Sequence, residues 1–201
     1  MFDKNGVMIQ GHIKIFDPVT GLILQDKSNA IHYENMSEAL AQSIADKGTG
    51  VIESMAFGNG ATAVDTTGII TYLPPNTTGQ NAELYNQTYS KVVNQNSAAN
   101  TDPSRNKMTV LHTSGTVYTD ILVSCLLDYG EPAGQQAFDN STNFNGEFVF
   151  DELGLKAWEG ASDDLMLITH VIFHPVQKSL NRQIQIDYTV RIQTLTNLSA
   201  A

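Results

Sequence analysis

The clearest alternation in the chain lies toward its C-terminal end. Ile184, Ile186, Tyr188, Val190 and Ile192 fall on one face of an extended segment, and Gln183, Gln185, Asp187, Thr189, Arg191 and Gln193 on the other. Successive side chains of a strand point to opposite faces, so this period of two predicts a strand with one side on a core and the other toward water or a polar partner. Near the other end, residues 11–16 alternate with Ile13 and Ile15 inward. Asp17-Pro18-Val19-Thr20-Gly21 then supplies turn chemistry and residues 22–25 return, which predicts a hairpin. Further strands are expected at 51–57, 147–151, 153–158 and 165–173. Residues 116–128 are apolar on both faces in their second half, as in a central strand covered on both sides.

One segment carries a helical period. Met36, Ala39, Leu40 and Ile44 share a face, Asn35 and Glu38 form a capping-box pattern, Lys47 suits the last turn and Gly48 the exit, so the pattern predicts a helix over 36–46. Residues 74–107 are the least regular stretch, with Pro74-Pro75 and seven Asn. They read as too polar for core and too long for an ordinary connection. Tyr85, Tyr89 and Val92 allow a short helix within 82–93. The region is expected to be an arm that touches neighbouring subunits or solvent. Seven or eight strands with one helix place the whole chain, 1–201, in the mainly β class. The expected fold is a single β-sandwich or jelly-roll-like domain with a long polar insertion at 74–107.

Composition sharpens the functional class. The net charge is −10, from 11 Lys+Arg against 21 Asp+Glu, and no three basic residues adjoin. Binding to nucleic acid or to an anionic membrane rests on clustered cations, so neither is an expected partner. The acidic surplus fits solubility, or a surface that must not trap passing DNA. The single cysteine, Cys125, sits in an apolar run and reads as a small buried hydrophobe. Residues 1–6 lack a signal-peptide pattern and no apolar run approaches the roughly 18 residues of a membrane span, so a cytoplasmic site of synthesis is expected.

Candidate chemistry is sparse. His170 and His174 are the closest histidine pair, yet on a regular strand they sit about 13 Å apart, too far to share an ion. His32 and Glu34 could pair as acid and base, or simply fix the entry of the helix. Asp163-Asp164, and Asp139 with Asn143 and Asn145, offer weak calcium ligands without the spacing of an EF-hand loop. Gly58-Asn59-Gly60 reads as a tight turn or a close backbone approach, since the rest of a phosphate loop is missing. Ser114-Gly115 and Ser124 lie in no nucleophile-elbow motif. Trp158 reads as core, and as a sugar platform only if exposed.

Three blocks together carry a resemblance. They are 11–16 with 25–32 leading into the helix; Met55-Ala56-Phe57-Gly58-Asn59-Gly60; and Phe150-Asp151-Glu152-Leu153-Gly154-Leu155 with 170–178 and 184–190. Covering about half the chain, they resemble virion structural proteins of tailed bacteriophages, especially small neck, tail and baseplate proteins of long-tailed phages. The resemblance implies a non-enzymatic β-rich subunit repeated in a symmetric ring, sixfold or twelvefold, at the head–tail junction or in the tail or baseplate. The implied partners are further copies of itself and other virion proteins (portal or connector, tail or baseplate), and the implied location is the virion, assembled in the host cytoplasm. It implies no catalytic, cofactor-binding or metal-ligating residue and no cofactor. Two alternatives stay open: a capsid decoration or cement protein, and a receptor- or sugar-binding fibre module with Trp158 or Tyr72 exposed.

Overall fold

A computed structural model describes residues 6–79, 82–132, 149–160 and 165–195. Twelve strands and one helix follow in the order β1 Gly6–Phe16, β2 Ile23–Ile31, α1 Tyr33–Ile44, β3 Ile52–Gly58, β4 Thr62–Val64, β5 Ile70–Tyr72, β6 Gln87–Val92, β7 Lys107–His112, β8 Tyr118–Leu127, β9 Val149–Trp158, β10 Leu165–Leu167, β11 Thr169–Gln177 and β12 Ile184–Leu195. The fold is mainly β and sandwich-like, as the alternation predicts. One layer runs β2-β1-β12-β8-β7 and the other β6-β3-β9-β11, with β10 also on β9. All pairs are antiparallel, and the layers join at one corner through Thr169 opposite Ile31 and His170 opposite Ala30. β4 and β5 form a separate ribbon.

The core lies between the layers. Ile13, Ile15, Ile186 and Tyr188 face Phe57, Leu153, Leu155 and Phe173, all essentially inaccessible. Phe57 and Phe150 pack with ring centroids 5.2 Å apart. Cys125 is buried among them and desolvation pushes its thiol up to about 12, so it behaves as the expected hydrophobe. The first hairpin forms as predicted because Asp17 Oδ1 accepts from the Val19 and Thr20 amides and Gly21 takes φ 75°.

Several expectations are corrected. The helix begins at Tyr33, not Met36: His32, not Asn35, is the cap, its Nδ1 accepting from the Asn35 amide at 3.2 Å. Asn35 is instead buried, and its Nδ2 donates to the Leu167 carbonyl at 2.9 Å. The helix ends at Ile44, so Lys47 lies outside its last turn, and Asp46 takes the left-handed conformation with φ 52°. Met36 and Ala39 face the core, but Ile44 is 83% exposed. Residues 82–93 hold no helix; Gln87–Val92 is the edge strand β6. The 74–107 stretch also contributes to the interior, with Leu84, Val93 and Asn106 buried. Residues 149–158 make one strand rather than two, and 165–173 is broken at Ile168, where Thr169 Oγ1 accepts the Leu155 amide. Strand β8 is buried on both faces in its second half, yet it lies one place from the sheet edge rather than at its centre.

Candidate functional site

The most unusual side chains sit in the middle of β9. Asp151 and Glu152 interrupt an otherwise apolar strand and are both inaccessible. Adjacent strand residues point to opposite faces, so each acid meets different partners. Glu152 Oε1 accepts from the amides of Asn86 (2.8 Å) and Gly60 (3.2 Å). Its Oε2 accepts from the Tyr85 amide (2.9 Å) and from His170 Nε2 (3.0 Å). His170 Nδ1 in turn accepts from the Asn76 amide at 2.9 Å, which leaves Nε2 to carry the ring proton. Asp151 accepts from the amides of Ala61 and Thr62 and from the Thr62 hydroxyl. The two carboxyls diverge. Burial is the largest influence on both and raises both; at Asp151 it prevails, whereas at Glu152 the bonds from His170, Asn86, Tyr85 and Gly60 together pull the carboxyl below the ordinary range.

This cluster is a latch. It fastens Gly60, Ala61 and Thr62, and Asn76, Tyr85 and Asn86, onto the second layer, with Lys156 paired to Glu83 alongside. Gly58 and Gly60 are close approaches: a Cβ on Gly58 would meet Glu152 Oε1 at 2.5 Å, and one on Gly60 would meet the Asn86 backbone nitrogen at 2.9 Å. Every oxygen of the Asp151 and Glu152 carboxyls accepts a hydrogen bond, so the pair anchors the segments around it. On sequence grounds His170 is weighed with His174 for a metal and set aside, and Asp151 and Glu152 enter only as part of a resemblance block, not as site residues. Their signal is two consecutive acids inside an apolar strand run, an arrangement that is costly without partners.

The remaining sequence candidates separate. Val171 and Phe173 face the core, so His170 and His174 both point outward from β11, yet they meet different partners: His170 is buried beneath Asn76 and His174 is exposed. His174 Nδ1 lies 3.3 Å from the Tyr72 hydroxyl. His32 is buried as a helix cap, with Nε2 donating to the Gly79 carbonyl at 3.0 Å, while Glu34 is exposed; the two fix the helix entry rather than pair. Ser114-Gly115 is the tip of the β7–β8 hairpin, with φ 87° at Gly115. Asp139, Asn143, Asn145, Asp163 and Asp164 lie outside the described residues. Among the described residues no group of three His, Cys, Asp or Glu could hold a metal ion, and no helix is long and apolar enough to cross a membrane. Trp158 is half-buried rather than core, on a groove of about 430 Å³ beside Glu53, Asn94 and Met108, and Tyr72 is 52% exposed.

The other notable surface is the far end of the first layer. The row Ile13, Tyr188, Val123 is inaccessible, and the next row on the same face is Gly11, Val190, Ile121 and Val110. There Val190 is buried but Val110 is 69% exposed. Val7, Leu111, Val117 and Leu195 are also exposed at this end. Arg191 holds Asp120 through two bonds of 2.7 and 2.8 Å and lies over the Tyr118 ring at 3.9 Å, which keeps Asp120 below the ordinary range. A groove of about 750 Å³ opens where β2 leaves β1, beside Ile9, Gln10, Ser28 and Tyr33. No protein-family model, curated protein or solved structure matches this chain.

Proposed function

We propose that the protein is a non-enzymatic structural subunit of a tailed-phage virion, repeated in a ring at the neck or in the tail or baseplate. The observation that supports this most is the far end of the first layer, where the apolar face of the sheet continues past its cover and exposes Val7, Val110 and Val117. An apolar face of that kind marks a surface that another protein covers. The buried acids support the same reading, because they hold loops in one shape, which suits a part that must present fixed surfaces to its neighbours. The partners are further copies of the chain and other virion proteins. The low density of positive charge speaks against DNA as a direct ligand.

The test is native mass spectrometry with electron microscopy of the purified chain, together with proteomics of purified tailed-phage particles carrying it. Closed rings, and a fixed ratio of this chain to portal in the particles, are expected. Absence from purified particles sinks the reading. Exposed Tyr72, and the half-buried Trp158 that lines a groove, favour a second reading as a sugar-binding module. Quenching of the single tryptophan by oligosaccharides would point that way.

A further inference from the structure

The first layer ends in two open edges. Among the described residues strand β7 pairs only with β8. The Met108 amide donates to the Gln95 side chain at 3.0 Å, so it points away from β8. Because N–H and C=O groups of a strand alternate in direction, those of Val110 and His112 point outward too. Strand β1 has the second edge. It pairs with β12 along its whole length, but with β2 only from Gly11 onward. Among the described residues nothing pairs with the other side of 6–10, where β2 turns off toward β11 and leaves the groove beside Tyr33.

We propose that β7 of one copy adds to the open edge of β1 in the next copy, so that the first layer runs continuously from subunit to subunit. The inference rests on the assembly reading above and names the contact that performs it. Four observations support it. Directions match: β1, β12, β8 and β7 alternate, so β7 enters beside a second β1 in the antiparallel sense and the ladder continues unbroken. Faces match, because Val110 lies on the face that carries Gly11 and, at the same period, Val7 and Ile9.

Charges match as well. Strand β7 and the hairpin after it, residues 107–119, carry Lys107 and no acid, while α1, whose Tyr33 lines the groove beside β1, carries Glu34 and Glu38 and no Lys or Arg. In a chain of net charge −10, a pairing of this kind works against self-repulsion. Size accounts for the fourth. The open stretch of β1 is about five residues, or roughly 17 Å of strand, too little to reach the ~1,000 Å² of a stable two-body interface. An edge-to-edge contact between unlike surfaces is therefore expected to persist only when it closes a ring and each copy is held twice. Solitary edges are often blocked by proline, bulges or charges; apart from Lys107 at its start, β7 contains none of these.

The experiment uses the full chain. Val110→Lys places a charge on an exposed position of β7, so folding, followed by circular dichroism, is expected to be unchanged while the ring peak in light-scattering chromatography is lost. Cysteines at Val110 of one preparation and at Val7 or Ile9 of another are expected to cross-link on mixing, with buried Cys125 silent. Rings that persist in Val110→Lys, without cross-linking at these positions, overturn this contact and leave the assembly reading standing. Cross-linking of Val110→Cys to itself also overturns it, since that marks a twofold β7–β7 pair. A wild-type chain that stays monomeric at every soluble concentration overturns both.

Discussion

Replacing Glu152 by Gln tests the latch at its centre. The amide keeps the volume of the carboxylate but offers one acceptor where there were two. If its oxygen takes the Oε1 position, the Asn86 and Gly60 amides keep a partner, and its NH₂ faces two donors, the Tyr85 amide and His170 Nε2. Turning the amide over strands the other pair instead. Either way two buried donors lose their acceptor, at about 1–3 kcal/mol each, and the two surviving bonds lose their charge assistance. Relief from burying a charge offsets part of this, so the net loss is expected to be about 3 kcal/mol. For a domain of this size that lowers the melting temperature by roughly 6–12 °C. The assay is chemical and thermal unfolding by circular dichroism, joined to hydrogen exchange at the Gly60, Tyr85 and Asn86 amides. Those amides are expected to exchange faster than the strand average in the variant. There is also a pH signature. Glu152 is held below its ordinary range in the folded chain, so its contribution is present at neutral pH and is lost as pH falls below about 4.3 through the folded value. In Glu152→Gln that part of the acid limb is absent. A loss under about 1 kcal/mol with exchange at the three amides unchanged would refute the latch.

Two further outcomes concern buried groups elsewhere. Lys178 is inaccessible and its Nζ donates to the Ser179 carbonyl at 3.0 Å; burial lowers it to about 8, against the raising influence of Glu131 and Asp128. Between pH 8 and about 10.4 the unfolded chain holds this proton while the folded chain releases it, so the contribution of Lys178 to stability rises with pH there, against a fall from the buried Cys125 thiol above about 8.5. Lys178→Met is expected to remove the rise and to gain about 1–3 kcal/mol at pH 7, measured by urea midpoints across that range. Gly154 lies opposite Ala56, where a Cβ would run into the Thr169 carbonyl oxygen and meet Leu167 Cδ1 at 2.5 Å. Gly154→Ala is expected to cost about 2–3 kcal/mol by urea titration, whereas Gly130→Ala, which meets nothing within 4 Å, serves as the control.

The sequence by itself determined the local periodicity and the elements that this periodicity implies. The alternation of 184–192 became β12 with Ile184, Ile186, Tyr188 and Val190 buried, and the Asp17–Gly21 chemistry became the first hairpin turn. The burial of Cys125 came from its apolar run in the same way. These are properties of neighbours in the chain, and a period of two declares its own core face. Tertiary structure decided which polar residues are interior. Glu152 draws its three backbone donors from residues 66 to 92 positions away, and His32 takes over the helix cap because Asn35 is needed by a carbonyl 132 positions on. Within the irregular 74–107 stretch, Gln87–Val92 became an edge strand because β3 presented a free ladder to it, not because of any pattern of its own. The two open edges of the first layer are equally beyond a sequence pattern, since an edge exists only once strand order is set, and strand order is a matter of distant pairing.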